Sequence, residues 1–369
     1  MGFADFASLT TEQKIGQLFF IGIPGQEIDD ATAKLLRDIN PGGVCLFARN
    51  IKERRRTREL LDGIREALPV EPFLSLDQEG GLVDRLRRVL TPMPAANLIR
   101  NTEDARRLAR IVAESIRILG FNMDFAPVVD VVDGERAKFS NGLFSRAYGS
   151  TAEDAADLAS AFLTELQDGG VVGCIKHFPG LGASEVDSHD DLPVVNIGED
   201  QFSSVDLFPY RRILSGGERP LVMAAHAAYP QLRLQETDQN GKLLPSSLSF
   251  NLISQLLRVD LGFDGLVLTD DLEMGAIVKN YGMGEACRLA IAAGEDMLTI
   301  CAGVDSIYEG FEAISRAVAD GEIAEERINR SLGRIAAVKA RLREPLPFDD
   351  ARLEELSEAV GALNEELSQ

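Results

Sequence analysis

An α/β fold of the (β/α)8 TIM-barrel type, built as a single domain, is predicted by three observations on this chain. Eight short apolar runs recur along it. Most are followed by a stretch with helical periodicity, and charged or imidazole side chains collect where the apolar runs stop. Parallel strands covered on both faces read as continuous apolar runs rather than as alternation. Eight such units in one chain favour a closed barrel over a doubly wound open sheet.

The first strand is expected at 17–22, ended by Pro24-Gly25. A helix over 27–39 stops at Pro41-Gly42-Gly43, and a second strand at 44–47 precedes a charged helix over 52–68. The third strand, 72–76, runs into Asp77-Gln78-Glu79-Gly80-Gly81. Thr102 is placed to cap the next helix, whose Leu108, Ile111, Val112, Ile116 and Leu119 share one face up to Gly120. Residues 123–131 read as the fourth strand. Thr151 and Asp154 form a capping-box pattern ahead of Leu158, Phe162 and Leu166. Strands five to eight are expected at 171–175, 221–225, 265–269 and 297–300, with helices near 249–259 and 284–293. The barrel is expected to occupy 1–345, and 346–369 to form a helical tail packed on it or fraying from it.

A formal net charge of −21 removes the basic footprint that nucleic acid or an anionic membrane needs. Neither is an expected partner, and no obligate protein partner is evident. An anionic substrate would have to be met by local positive groups. No apolar run approaches the length of a membrane span, and the first ten residues carry neither a basic nor an apolar signal-like region. A cytoplasmic location is the expectation. Cys45, Cys174, Cys287 and Cys301 lie far apart without CxxC spacing, as expected of buried free thiols.

The polar residues fall on one rim. Asp77 ends the third strand, Asp130 lies near the end of the fourth, Lys176 and His177 end the fifth, His226 the sixth, and Asp270 and Asp271 the seventh. Barrel enzymes build their sites on that C-terminal face, and charge there costs desolvation unless it is used or paired. Consecutive strand residues point in opposite directions, so at most one of Asp270 and Asp271 should face a given centre. Asp270 is expected to be the reactive group, and Asp271 a structural partner or helix N-cap. The segment after the fifth strand holds two of the three histidines of the chain. Asp187 and His189 are two apart, which in an extended loop puts both on one side. A carboxylate holding one ring nitrogen leaves the other free to pass a proton. Gly180, Gly182 and Ala183 would let that loop move. The same residues also read as a packed loop with an incidental Asp-Ser-His. With no HExxH, calcium loop, P-loop or GxSxG pattern, neither a metal site nor an acyl-transfer nucleophile is expected.

Several segments carry a resemblance. They are Lys14-Ile15-Gly16-Gln17-Leu18, Gly42-Gly43-Val44-Cys45-Leu46-Phe47, Asp77-Gln78-Glu79-Gly80-Gly81 with Arg85, and Phe125-Ala126-Pro127-Val128-Val129-Asp130. Further along come Arg146 in Phe144-Ser145-Arg146-Ala147-Tyr148-Gly149, Lys176-His177-Phe178-Pro179-Gly180, Asp187-Ser188-His189, Val222-Met223-Ala224-Ala225-His226 and Thr269-Asp270-Asp271-Leu272-Glu273-Met274. In this order they resemble the single-domain bacterial β-N-acetylglucosaminidases of glycoside hydrolase family 3, over roughly residues 10–340. The resemblance implies a retaining hydrolase of terminal β-linked N-acetylglucosamine, as in muropeptides from peptidoglycan recycling. It implies Asp270 as nucleophile and His189, paired with Asp187, as general acid and base. It implies Asp77, Arg85, Arg146, Lys176 and His177 as sugar-binding residues, with no metal or organic cofactor. Those cations would be the local positive groups that an acidic chain needs. Leu181 stands where the family usually has a histidine, which bears on the geometry of the loop. A family β-glucosidase, a glycoside phosphorylase and a non-catalytic sugar-binding barrel are the alternative readings.

Overall fold

The structure, a computed structural model, describes residues 6–139, 141–188 and 191–369. Ten strands occur among the described residues: β1 (Phe19–Gly22), β2 (Gly43–Cys45), β3 (Phe73–Leu76), β4 (Gln78–Gly80), β5 (Val83–Asp84), β6 (Met123–Asp124), β7 (Val172–Phe178), β8 (Leu221–Ala224), β9 (Val267–Asp271) and β10 (Met297–Ile300). Eight of them close a parallel barrel in the ring order β1-β2-β3-β6-β7-β8-β9-β10, and β4 and β5 form a separate antiparallel hairpin. The predicted barrel is therefore the observed one, with helices surrounding the strands.

The ring closes over aromatic side chains. Phe20 of β1 stacks on Phe73 of β3 with ring centroids 6.3 Å apart and tilts against Phe125 at 5.0 Å. Gly43 makes room for it, since a Cβ there would sit 2.5 Å from the Phe20 ring. Burying a ring of this size contributes about 1.5–3 kcal/mol. Pro127 limits β6: the expected strand over 123–131 keeps ladder pairing only at Met123–Asp124, with one further bridge from Val128 to Lys176. Proline has no N–H to continue a ladder.

Two helix starts differ from expectation in an instructive way. The helix Thr102–Leu119 is capped by Asn101, whose side-chain oxygen accepts from the N–H groups of Glu103 and Asp104, so Thr102 is the first helical residue. The helix Ala152–Asp168 is capped by Thr151, which accepts from the Asp154 N–H at 3.0 Å. The Asp154 carboxylate reaches the Ser150 N–H rather than that of Thr151, so the reciprocal half of the box is not formed. After β10 come the helices Val304–Ala319, Glu325–Lys339 and Asp350–Leu367. The last buries Leu353, Leu356, Val360 and Leu363 and is tied to the Thr102–Leu119 helix by Arg352 on Glu114 and Glu366 on Arg107.

Three strand registers slip by one residue. In β4–β5, Gln78 and Gly80 face Asp84 and Val83, leaving Glu79 as the extra residue. Between β7 and β8, Ile175 and Phe178 face Val222 and Ala224, so Lys176 and His177 span a bulge. Between β9 and β10, Leu268 and Asp271 face Met297 and Thr299. A bulge bends the strand and re-aims a side chain that strict alternation would turn away.

Candidate active site

The bulges converge at the C-terminal mouth of the barrel. A cavity of about 140 Å³ opens there, lined among others by Asp77, Glu79, Arg85, Arg146, Lys176, His177, Asp187, Asp270 and Asp271. Both members of the Asp270-Asp271 pair line it, and so do both Lys176 and His177. The two carboxylates are nevertheless used differently: Asp271 Oδ1 accepts the Glu273 and Cys301 N–H groups, whereas Asp270 keeps one oxygen toward the cavity.

The charged groups form one continuous chain. Lys176 Nζ donates to Asp77 Oδ1 at 2.8 Å and lies 2.6 Å from Glu79 Oε1. Arg85 Nη2 donates to Asp77 Oδ2 at 3.1 Å. Arg146 grips Glu79 with two nitrogens, at 2.7 and 2.9 Å, and its Nη2 lies 3.3 Å from His177 Nε2. Burial alone would push the Asp77 carboxyl up, but Lys176 and Arg85 outweigh it and hold it below the usual carboxylate range. Burial likewise opposes the charge on Glu79, yet Arg146 and Lys176 bring its pKa down to about 2. Burial works against the Lys176 ammonium, and Asp77 and Glu79 hold its pKa above the ordinary lysine value. The sequence reading passed over Glu79. Its signal was present: a glutamate next to a glycine turn, three residues past the end of β3.

His177 is fixed from below. Its Nδ1 lies 2.6 Å from Asp130 Oδ2, and Asp130 Oδ1 accepts the Leu181 N–H at 2.6 Å. The ring's other nitrogen then faces Asp270, with Nε2 4.0 Å from Oδ2. Because Leu181 reaches Asp130 through its backbone, this anchor does not depend on its side chain. Asp270 accepts the Asp271 N–H on Oδ1 at 2.8 Å, which leaves Oδ2 toward the cavity. Burial would raise the Asp270 pKa, but His177 opposite, then His226 and Lys176, lower it below the usual value. Asp271 behaves differently. Burial lifts it to about 7, while its Oδ1 accepts the N–H groups of Glu273 and Cys301. It caps a turn rather than a helix, since the next helix starts at Gly275.

His226 does not line the cavity. Its Nδ1 lies 2.7 Å from Ser247 Oγ and its Nε2 3.1 Å from the Asp271 carbonyl oxygen. Donation from Nε2 to that carbonyl makes the ring a buttress beneath Asp270 and Asp271. Asp187 lines the cavity, and His189 lies outside the described residues. The root of their loop is packed, and its glycines serve close approach there. A Cβ on Gly182 would sit 2.0 Å from the Val131 carbonyl oxygen, and Gly180 has φ +125 with Asp206 Cβ 2.7 Å from its absent side chain. Ser188 closes the far side, its carbonyl accepting the Ala276 N–H. Among the described residues no group of three or more His, Cys, Asp or Glu side chains is placed to hold a metal ion. All four cysteines are buried and free, and no helix among the described residues is long and apolar enough to cross a membrane.

Comparison with known proteins agrees with this geometry. The profile of the glycosyl hydrolase family 3 N-terminal domain matches residues 10–338. A β-hexosaminidase from Alkalilimnicola ehrlichii is 33% identical over 325 residues, covering 85% of this chain and 88% of the relative. One from Pseudomonas aeruginosa is 33% identical over 285 residues, covering 76% and 81%. Among solved structures, a family 3 β-N-acetylglucosaminidase from Paenibacillus sp. superposes with a TM-score of 0.87 at 34% identity, over 96% of this chain and 69% of that one. A family 3 glycosyl hydrolase from Mycobacterium smegmatis gives 0.79 at 30% identity, over 92% and 100%. With an acid-lined mouth at the C-terminal end of its barrel and matches that span most of its length, the chain belongs to glycoside hydrolase family 3 and is a glycoside hydrolase of the β-N-acetylhexosaminidase type.

Proposed function

We propose that this hydrolase removes terminal β-linked N-acetylglucosamine with retention of configuration, through a covalent intermediate on Asp270. The observation that carries the reading is the state of Asp270. It is a carboxylate held anionic by His177 and Lys176, with one oxygen tied to the backbone and the other directed at the cavity. A nucleophile for an anomeric carbon needs that free, ionised oxygen. In the first step Asp270 Oδ2 bonds to C1 as the C1–O bond to the leaving group breaks, and the leaving oxygen takes a proton from His189. In the second step His189 takes a proton from water, the water oxygen bonds to C1, and the Asp270 carboxylate leaves. Asp187 orients His189. Arg85, Arg146, Lys176 and His177 offer N–H donors to sugar hydroxyls, and the Asp77 carboxylate accepts from one. Muropeptides of peptidoglycan recycling are the natural substrate class for such a site.

The test compares initial rates on an aryl β-N-acetylglucosaminide and the matching aryl β-glucoside, with the anomer of the first product followed by NMR. Preference for the acetamido sugar and first release of the β-anomer are expected. Preference for glucose would reassign the pocket, and release of the α-anomer would remove the covalent intermediate.

A further inference from the structure

We infer that Glu79 is a positioning residue that sets the charge of the cavity, so that the pocket for the terminal sugar accepts a neutral sugar unit and water while refusing a free small anion such as phosphate. The inference deepens the proposed function and rests on it. Three permanent cations line the cavity, Arg85, Arg146 and Lys176, and each is matched to a carboxylate. Asp77 serves Arg85 and Lys176, and Glu79 serves Lys176 and Arg146. Asp270 adds a further negative charge. Among the described residues, no lining cation is left without a carboxylate. The cations can offer N–H groups to hydroxyls, but they carry no surplus charge to hold a phosphate or a carboxylate ligand.

Glu79 is the hinge of this balance. Its side chain is 2% exposed, so its charge is poorly screened by water. One of its oxygens, Oε1, meets both Lys176 Nζ at 2.6 Å and Arg146 Nη2 at 2.9 Å, while Oε2 takes Arg146 Nε at 2.7 Å. A planar pair of oxygens held by a guanidinium fork and an ammonium is the arrangement that also binds phosphate or sulfate. Glu79 therefore occupies, with a built-in anion, the place an external anion would seek. It also aims Arg146, whose Nη2 lies 3.3 Å from His177 Nε2. Its position on the bulge of β4 brings the carboxylate inward.

The experiment uses the full chain with Glu79→Gln and Glu79→Asp. Hydrolysis of an aryl β-N-acetylglucosaminide is followed against inorganic phosphate at constant ionic strength. Thermal stability is followed in the same phosphate series. For Glu79→Gln, the inhibition constant of phosphate should fall about tenfold or more, and KM should rise about tenfold with a smaller loss in kcat. Phosphate should raise the melting temperature of that variant and not of the wild type. Glu79→Asp keeps the charge with shorter reach, so its KM should rise while phosphate resistance stays within about threefold of wild type. Equal phosphate sensitivity of Glu79→Gln and the wild type would overturn the inference. Should Glu79→Gln fail to fold, low-millimolar competitive inhibition of the wild type or of Glu79→Asp by phosphate would overturn it equally. The melting series needs no turnover, so a failure of the glycosidase reading and a failure of the charge-balance reading are separable.

Discussion

Two pairs of adjacent carboxyls stand at opposite ends of neighbouring strands. Asp270 and Asp271 close the C-terminal end of β9, and Glu295 and Asp296 precede β10 at the other end of the barrel. In each pair burial lifts one member, Asp271 to about 7 and Glu295 well above its ordinary value. The other members differ in how their lone pairs are used. Asp296 is saturated: Arg258 and the Val267 N–H bind Oδ2, and Ser331 and Arg334 bind Oδ1. Among the described residues, Asp270 has one backbone donor on Oδ1, while Oδ2 sees a distant imidazole. A saturated carboxylate holds elements together. One with an oxygen left facing a cavity is available for chemistry. Residue type alone would not have separated them; exposure does so in part, the Asp270 side chain being 21% exposed and that of Asp296 fully buried.

That contrast predicts opposite phenotypes. Asp270→Asn should lower kcat on the order of 10⁴-fold or more while leaving the melting temperature near that of the wild type. A variant with substantial residual turnover would remove Asp270 from the nucleophile role. Asp296→Asn should do the reverse, costing about 3–5 kcal/mol because it leaves Arg258 and Arg334 short of a buried counter-charge. The kcat of its folded fraction should stay within about twofold of wild type. Chemical denaturation and active-site titration together measure both terms, and a large loss of kcat in folded Asp296→Asn would break the comparison.

A third test concerns the raised partner. The folded-state pKa of Asp271, about 7, lies above the ordinary aspartate value, so the native state holds this proton more tightly than the unfolded chain. Wild-type stability should therefore fall as pH rises from about 4 to about 7, by up to about 1.4 kcal/mol per pH unit, and then level off. Asp271→Asn lacks this titration and keeps an acceptor for the Glu273 and Cys301 N–H groups. Its stability relative to the wild type should grow across that window. Denaturant midpoints at pH 4, 6 and 8 would show it, and a constant difference would mean that Asp271 ionises normally. The smallest expected effect lies away from both ends. Asn101→Ala should cost about 1 kcal/mol by uncapping the Thr102–Leu119 helix, and Thr102→Ala only a few tenths of that amount. Equal losses would restore Thr102 as the cap.

The strands were legible because a parallel barrel buries both faces of each strand, and apolar runs such as 171–175 and 297–300 have no other simple use. Asp77, Lys176, His177 and Asp270 were legible because charge at the end of such a run needs a reason. The β4–β5 hairpin was not, since Gln78 and Glu79 read as polar loop. Neither was the role of His226, which reaches the rim in sequence but turns to Ser247 and the Asp271 carbonyl in space.

By itself, then, the sequence determined the barrel, the rim on which chemistry collects and most of the residues gathered there, because burial and periodicity are local properties of the chain. Only the tertiary structure decided which neighbours face inward and which carboxylates are already spent. The one-residue slips at Lys176-His177 and at Asp270 arise from pairing with strands distant in sequence, and the one at Glu79 from the local β4–β5 hairpin. The side chains that saturate Asp296 come from up to 38 residues away, and the imidazole that faces Asp270 is that of His177, on a different strand. Hydrogen-bond saturation is a property of the assembled site, and no spacing rule along the chain encodes it.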